Sequence, residues 1–138
     1  MKNGKFSKEK GKRGERLLAK WLQAHGYEAK RGQQQTGASG VADVVGLPGI
    51  HIECKNVEEL NIPKAMEQAR EDSYADSLKH DGYMIPTVWH KQGRKPWKVI
   101  IEAADFLWMI GRIDSDNRAL LTMSAEDFIS LYEEGGWS

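Results

Sequence analysis

The chain has 138 residues, 29% of them charged and 40% hydrophobic, with a formal net charge of zero. That balance fits one folded domain with a real core rather than a disordered chain. No apolar run approaches the roughly 20 residues that cross a bilayer, the lysine-rich start lacks the apolar stretch of a secretory signal, and the single cysteine, Cys54, excludes an internal disulfide and a cysteine-based zinc cluster. A reducing, cytoplasmic setting is the expectation. The zero net charge hides an asymmetry: residues 1–31 hold ten Lys/Arg against three Asp/Glu, residues 32–101 eight against nine, and residues 102–138 two against eight. The basic end suits phosphates and the acidic end would face elsewhere, although a solvated arm without a partner has the same composition.

Residues 1–7 read as a flexible basic arm, with Ser7 placed to cap a helix. Gly14, Leu17, Leu18, Trp21, Leu22 and His25 then recur at helical spacing, and Gly26 follows as a stop. Residues 27–31 read as a short strand, and the Gln-, Gly- and Ser-rich stretch 32–40 as an irregular loop. Two strand-like runs, 41–46 and 50–55, flank Leu47-Pro48-Gly49 and predict a hairpin. Residues 62–80 predict a second helix, with Pro63 in its first turn and Ala65, Met66, Ala69 and Leu78 turned inward. Two more strands are expected over 83–90 and 97–101, joined by a basic loop, and short helices near 103–111 and 125–134. The order describes a single α/β domain around a small mixed sheet, with residues 8–102 as its core and 103–138 as an acidic helical tail.

Strand side chains alternate between faces. Ile50, Ile52 and Cys54 share one face and read as core, while His51, Glu53 and Lys55 share the other, Glu53 and Lys55 being roughly 6–7 Å apart along the strand. Asp43 stands on the preceding run, where hairpin pairing brings it beside Glu53. Converging carboxylates repel one another, and a divalent cation relieves the repulsion; oxygen ligands favour Mg²⁺ or Mn²⁺ over zinc. Such a cation can bind a scissile phosphate and lower the pKa of a bound water, which Lys55 would orient while offsetting charge in the transition state. Glu-x-Lys alone is a common pattern and also describes an ordinary surface cross-strand pair.

The surroundings are more specific. The stretch Lys10-Gly11-Lys12-Arg13-Gly14-Glu15-Arg16, followed by a helix and Gly26-Tyr27-Glu28-Ala29-Lys30-Arg31, resembles the K-G-x-x-x-E-R and G-(aromatic)-x-A-x-R opening of the archaeal-type Holliday-junction resolvases and their phage-borne relatives. These belong to the PD-(D/E)xK nuclease superfamily. Thr36-Gly37-Ala38-Ser39-Gly40 resembles their S-G loop, Val41-Ala42-Asp43-Val44-Val45 their x-D-I-V strand, and Glu53-Cys54-Lys55 their E-x-K, over residues 10–102 in all. Ala42 stands where the superfamily pattern has Pro, and the tail beyond about residue 103 has no counterpart in the short resolvase core.

The resemblance implies a restriction-endonuclease-like αβββαβ core flanked by helices. It implies Mg²⁺-dependent hydrolysis of DNA (Mn²⁺ substituting), in the host cytoplasm if phage-encoded. A homodimer would make paired cuts on a four-way junction. Glu15, Asp43 and Glu53 become the metal acids, Lys55 the catalytic lysine, and Ser39 an auxiliary active-site or DNA-contacting residue. Gln68 would touch the attacking water or the metal's outer ligands, or else simply face solvent. Arg13, Arg16, Lys30, Arg31 and residues 33–35, with Lys91, Arg94, Lys95 and Lys98, could contact phosphates. His90 reads as a packing or DNA-backbone residue, since the four histidines show no ligand spacing, and Trp89, Trp97 and Trp108 as core or dimer-interface residues. Two other readings stay open: the same fold cutting flaps, forks or duplex ends, and a catalytically silent DNA-binding module.

Overall fold

A computed structural model describes residues 4–32 and 41–137. The first helix, α1 (Gly4–Ala24), begins inside the stretch expected as a basic arm. Ser7 therefore lies within the helix and does not cap it, because the lysine-rich residues around it are good helix formers and no proline interrupts them. Two short strands follow, β1 (Lys30–Arg31) and β2 (Val44–Val45), then the longer β3 (Ile50–Asn56). Helix α2 (Ile62–His80) is capped by Asn61, whose side chain accepts from the Lys64 N–H at 3.1 Å. After it come β4 (Ile85–Lys91), β5 (Lys98–Glu102), α3 (Ala103–Gly111), β6 (Leu120–Ser124) and α4 (Ala125–Glu134).

The six strands form one sheet in chain order. Only β3 and β4 run parallel, and α2 is the crossover that a parallel pair requires. Every other neighbouring pair is antiparallel. The predicted hairpin is present, with Val44 opposite Ile52.

The sheet has two unlike faces. Ile50 and Ile52, with Trp89, Val99 and Ile101, pack against Leu18 and Leu22 of α1 and Phe128 and Tyr132 of α4. On the other face Val88 and Ile100 meet Ala65, Met66 and Ala69 of α2. Leu78, expected inward, is 70% exposed: the inner side of α2 continues through Ser73 and Asp76, and two further residues turn the helix about 200°. Leu17 is likewise on the surface side of α1. Trp89 and Trp97 are buried as core residues, whereas Trp108 is partly exposed. No helix among the described residues is long and apolar enough to cross a membrane.

The tail is no appendage. Both expected helices are present, but between them lies β6, which the sequence reading omitted; it adds a sixth strand beside β5. Helix α4 then lays Phe128 edge-on against Trp89 at 5.4 Å and sends the Tyr132 hydroxyl to the carbonyl of Pro48. Since Phe128 is fully buried, Phe128→Ala should lower the unfolding free energy by about 3–5 kcal/mol, read from urea denaturation. Removal of residues 113–138 should leave a chain without a cooperative transition, because it strips Phe128 and Tyr132 from the larger core.

Candidate active site

Three local features bring the acidic residues together. Gly14 is the point where α1 touches the end of β3: a Cβ there would stand 2.6 Å from Cβ of Asn56, so only glycine permits the approach. Asn56 completes the contact by donating to the carbonyl of Lys10 at 3.1 Å. Glu15, the next residue, is thereby held beside the sheet, where its Oε1 accepts from Nε of Arg31 at 3.0 Å. The hairpin supplies the second feature. Backbone N–H of Asp43 donates to Ile52 O at 3.0 Å, and Oδ2 of Asp43 accepts from the Cys54 N–H at 2.8 Å, which fixes this carboxylate against β3.

The third feature is a match of repeats. Side chains on one face of a strand recur every two residues, about 6–7 Å, and those on one face of a helix every four, about 6 Å. Lys55, Glu53 and His51 on β3 therefore meet Gln68, Asp72 and Asp76 on α2, rung by rung. Nζ of Lys55 donates to Oε1 of Gln68 at 3.3 Å, a carboxylate oxygen of Asp72 lies within 4.8 Å of one of Glu53, and Nδ1 of His51 lies 2.7 Å from Oδ2 of Asp76. Along the strand, Nε2 of His51 lies 2.9 Å from Oε1 of Glu53. Oδ1 of Asp76 lies 2.9 Å from Nε2 of His80.

Burial makes this arrangement electrostatically tense. Glu53 is 3% exposed, and loss of solvent, together with the charge of Asp43 and the hydrogen bond with Asp72, raises its pKa from 4.5 to about 8 against the opposing pull of His51. Burial alone would lower the pKa of His51, but Glu53 and Asp76 outweigh it and hold the imidazole above 6.5. Glu15 is raised as well, first by burial and then by Asp43, with Arg31 opposing. The thiol of Cys54 is pushed up by burial and by the surrounding carboxylates, which makes it a poor nucleophile.

The charge of Asp43 thus acts on both Glu53 and Glu15, Lys55 and Gln68 touch, and these five belong to one locality. The tightest donor group among the described residues is different: one ligand atom each from His51, Glu53 and Asp72 lies within 4.8 Å of the others. Excess negative charge at oxygen donors fits a hard divalent cation, and this group adds an imidazole nitrogen to the choice of donors. His51, Asp72 and Asp76 were missed by sequence reasoning. The signal for His51 was its place on the Glu53 face of β3, and for Asp72 and Asp76 the i, i+4, i+8 spacing from Gln68, which becomes meaningful only once the helix is set against β3.

The basic residues are distributed over α1, β1 and the β4–β5 region. Arg13 and Arg16 are exposed on α1, and Lys30 is exposed on β1. Arg31 is engaged by Glu15. Lys91 stands opposite Asn56 in the parallel pair, its ammonium on the carbonyl of Lys95 at 2.8 Å, with Arg94, Lys95 and Lys98 exposed nearby. His90 is a packing residue, its Nε2 bonded to the carbonyl of Val57 at 2.8 Å. Ser39 and residues 33–35 lie outside the described residues.

The sequence matches no family model and no curated protein. Among solved structures it is similar to Archaeoglobus fulgidus Hjc, a Holliday junction resolvase from an archaeal hyperthermophile. The TM-score is 0.58 at 20% identity, over 87% of this chain and 98% of that one. The chain has the restriction-endonuclease-like fold of that resolvase. A six-stranded sheet flanked by four helices is thus the resolvase-like scaffold on which the Asp43, Glu53 and Lys55 cluster stands.

The raised Glu53 has a measurable consequence in metal-free protein. Between pH 4.5, its ordinary value, and about 8, its value in the fold, the folded chain binds the proton that the unfolded chain has lost. The stability this contributes is present below the first value and lost as the pH rises through the second. His51 adds a loss of the same sign. Melting temperature in excess chelator should therefore fall across that window, and Glu53→Gln should flatten the decline; an equal slope in both proteins would contradict the assignment.

Proposed function

We propose that the chain is a divalent-metal-dependent DNA endonuclease that cuts branched DNA, in the manner of a Holliday-junction resolvase. The observation that carries this reading is the placement of Asp43, Glu53 and Lys55 together at one end of a resolvase-like sheet, with Glu15 held beside them by the Gly14 contact. The known activity of the similar protein supports the substrate class, and the basic residues of α1, β1 and the β4–β5 loop support a phosphate backbone as partner.

Asp43 and Glu53 would hold the cation, Mg²⁺ or Mn²⁺, with Glu15 completing the acidic set once Arg31 turns to a phosphate. When bound, the cation supplies Lewis acidity toward a phosphoryl oxygen and a more acidic water. The chain's own groups supply the rest. Lys55, its Nζ steadied by Gln68, presents a fixed positive charge where negative charge grows on the phosphate and positions the attacking water. Direct hydrolysis needs no covalent intermediate, and the half-buried Cys54, its thiol pushed up among carboxylates, offers no rival nucleophile. Ser39 would assist from its loop, and Arg13, Arg16, Lys30, Arg31, Lys91 and Arg94 would bind DNA backbone. A four-way junction has two strands to cut, so we assign the active form as a homodimer, and a cytoplasmic setting agrees with the lone cysteine.

Purified protein with Mg²⁺ or Mn²⁺ should cut a synthetic four-way junction in preference to a matched duplex and a flap. Equal cutting of all three would reject junction selectivity while keeping the nuclease. Asp43→Ala and Glu53→Ala should abolish cleavage yet retain junction binding in a mobility-shift assay. Lys55→Ala should lose about 10²–10³-fold in rate. A wild-type protein that binds junctions and cuts nothing with either metal would instead establish the silent binding module.

A further inference from the structure

We propose that His51, clamped by Asp76, is a positioning residue that sets the Glu53 carboxylate for the cation. This inference rests on the metal-nuclease reading and adds two residues to it that a Glu-x-Lys pattern does not contain.

His51 has no exposed surface, and a polar ring is costly to bury unless its nitrogens are satisfied. Both are: Nε2 faces Oε1 of Glu53 at 2.9 Å and Nδ1 faces Oδ2 of Asp76 at 2.7 Å. The ring thus bridges the carboxylate on its own strand to one on the covering helix. Asp76 is held in turn, because its second oxygen lies 2.9 Å from Nε2 of His80. The backbone is held too. Oγ1 of the buried Thr87 donates to the carbonyl of His51 at 2.8 Å, and Thr87 itself accepts from Nε1 of Trp89 at 3.0 Å. The strand on one side and α2 on the other leave the imidazole one orientation.

That orientation fixes Glu53. With Oε1 held by the ring, the carboxylate cannot swing freely. A metal carboxylate with such an outer partner binds more tightly than one that must be ordered on binding, by about 10–100-fold in affinity. The competing role for His51 is direct ligation, since its ring nitrogen belongs to the close donor group with Glu53 and Asp72. The geometry favours positioning, because each nitrogen already points at a carboxylate oxygen.

Mn²⁺ alone is the probe, titrated into the full-length protein by calorimetry and followed by electron paramagnetic resonance. Three variants separate the atoms: His51→Gln retains a donor near the position of Nε2, His51→Asn retains one near Nδ1, and Asp76→Asn weakens the clamp without changing the size of the core. The expected result is wild-type Mn²⁺ binding, 10–100-fold weaker binding in His51→Asn and Asp76→Asn, and a loss of less than 10-fold in His51→Gln. Junction affinity without metal should stay unchanged in all three. Should His51→Asn not fold, Asp76→Asn carries the comparison, with thermal melts as the control. Wild-type affinity in the folded variants, or losses that track melting temperature instead of the donor retained, would overturn the proposal. An imidazole nitrogen coupling to Mn²⁺ in the wild-type spectrum would overturn it in favour of direct ligation. A wild-type chain that neither binds Mn²⁺ nor cuts DNA would overturn the metal-nuclease reading itself.

Discussion

Glu53 is a carboxylate in a place that does not suit one. It stands on the inward side of a central strand, 3% exposed, covered by α2 and flanked by the acids of two neighbouring elements. Burying an ion without a partner costs several kcal/mol, so the fold must neutralise it, surround it with donors, or keep the place ready for a cation. Much of the nearby architecture follows from that constraint. His51 lies on one oxygen, Asp72 stands close by on α2, and Asp43 is held one strand away by the N–H of Cys54.

The same constraint explains why α2 is an unusual covering helix. Its first half, through Ala65, Met66 and Ala69, presents small and apolar groups to Val88 and Ile100. The buried side then passes to Ser73 and Asp76. Such a polar stretch would weaken an ordinary core, yet among the described residues no buried side-chain nitrogen or oxygen lacks a hydrogen-bond partner. The polar rungs are satisfied because the strand and helix repeats, two residues against four, differ by less than 1 Å per step by the usual rises of about 3.3 and 1.5 Å per residue. Apolar packing and the charged cluster therefore share one helix without competing.

The two faces of the sheet divide the work. Large aromatic and aliphatic groups gather on the α1, α3 and α4 side, where Trp89, Phe128 and Tyr132 are fully buried. The polar cluster lies on the α2 side. The acidic C-terminal stretch serves the first of these: its Glu126 and Glu133 meet His25 and Tyr27, which ties α4 to the turn after α1. An asymmetric charge distribution is thus compatible with a single packed unit.

The sequence by itself determined the local features. Periodicity set the second helix at Ile62–His80, the turn Leu47-Pro48-Gly49 set the hairpin, and alternation separated Ile50 and Ile52 from His51, Glu53 and Lys55. These are short-range properties, decided by spacing along one element and by the hairpin, and they were enough to bring Asp43, Glu53 and Lys55 together, whereas Gln68 came only from the family resemblance. The start of α1, the outward Leu17 and Leu78, and strand β6 were not legible. Each depends on which neighbour covers the residue, or, for an edge strand, on a partner 20 or so residues away. His51 shows the limit most clearly. In sequence it is one of four scattered histidines; in the fold it is sealed between Glu53 and Asp76, because a residue 25 positions later arrives on a helix turned to face it. Only tertiary structure could decide that, since the energy of a buried charge is set by what surrounds it in space.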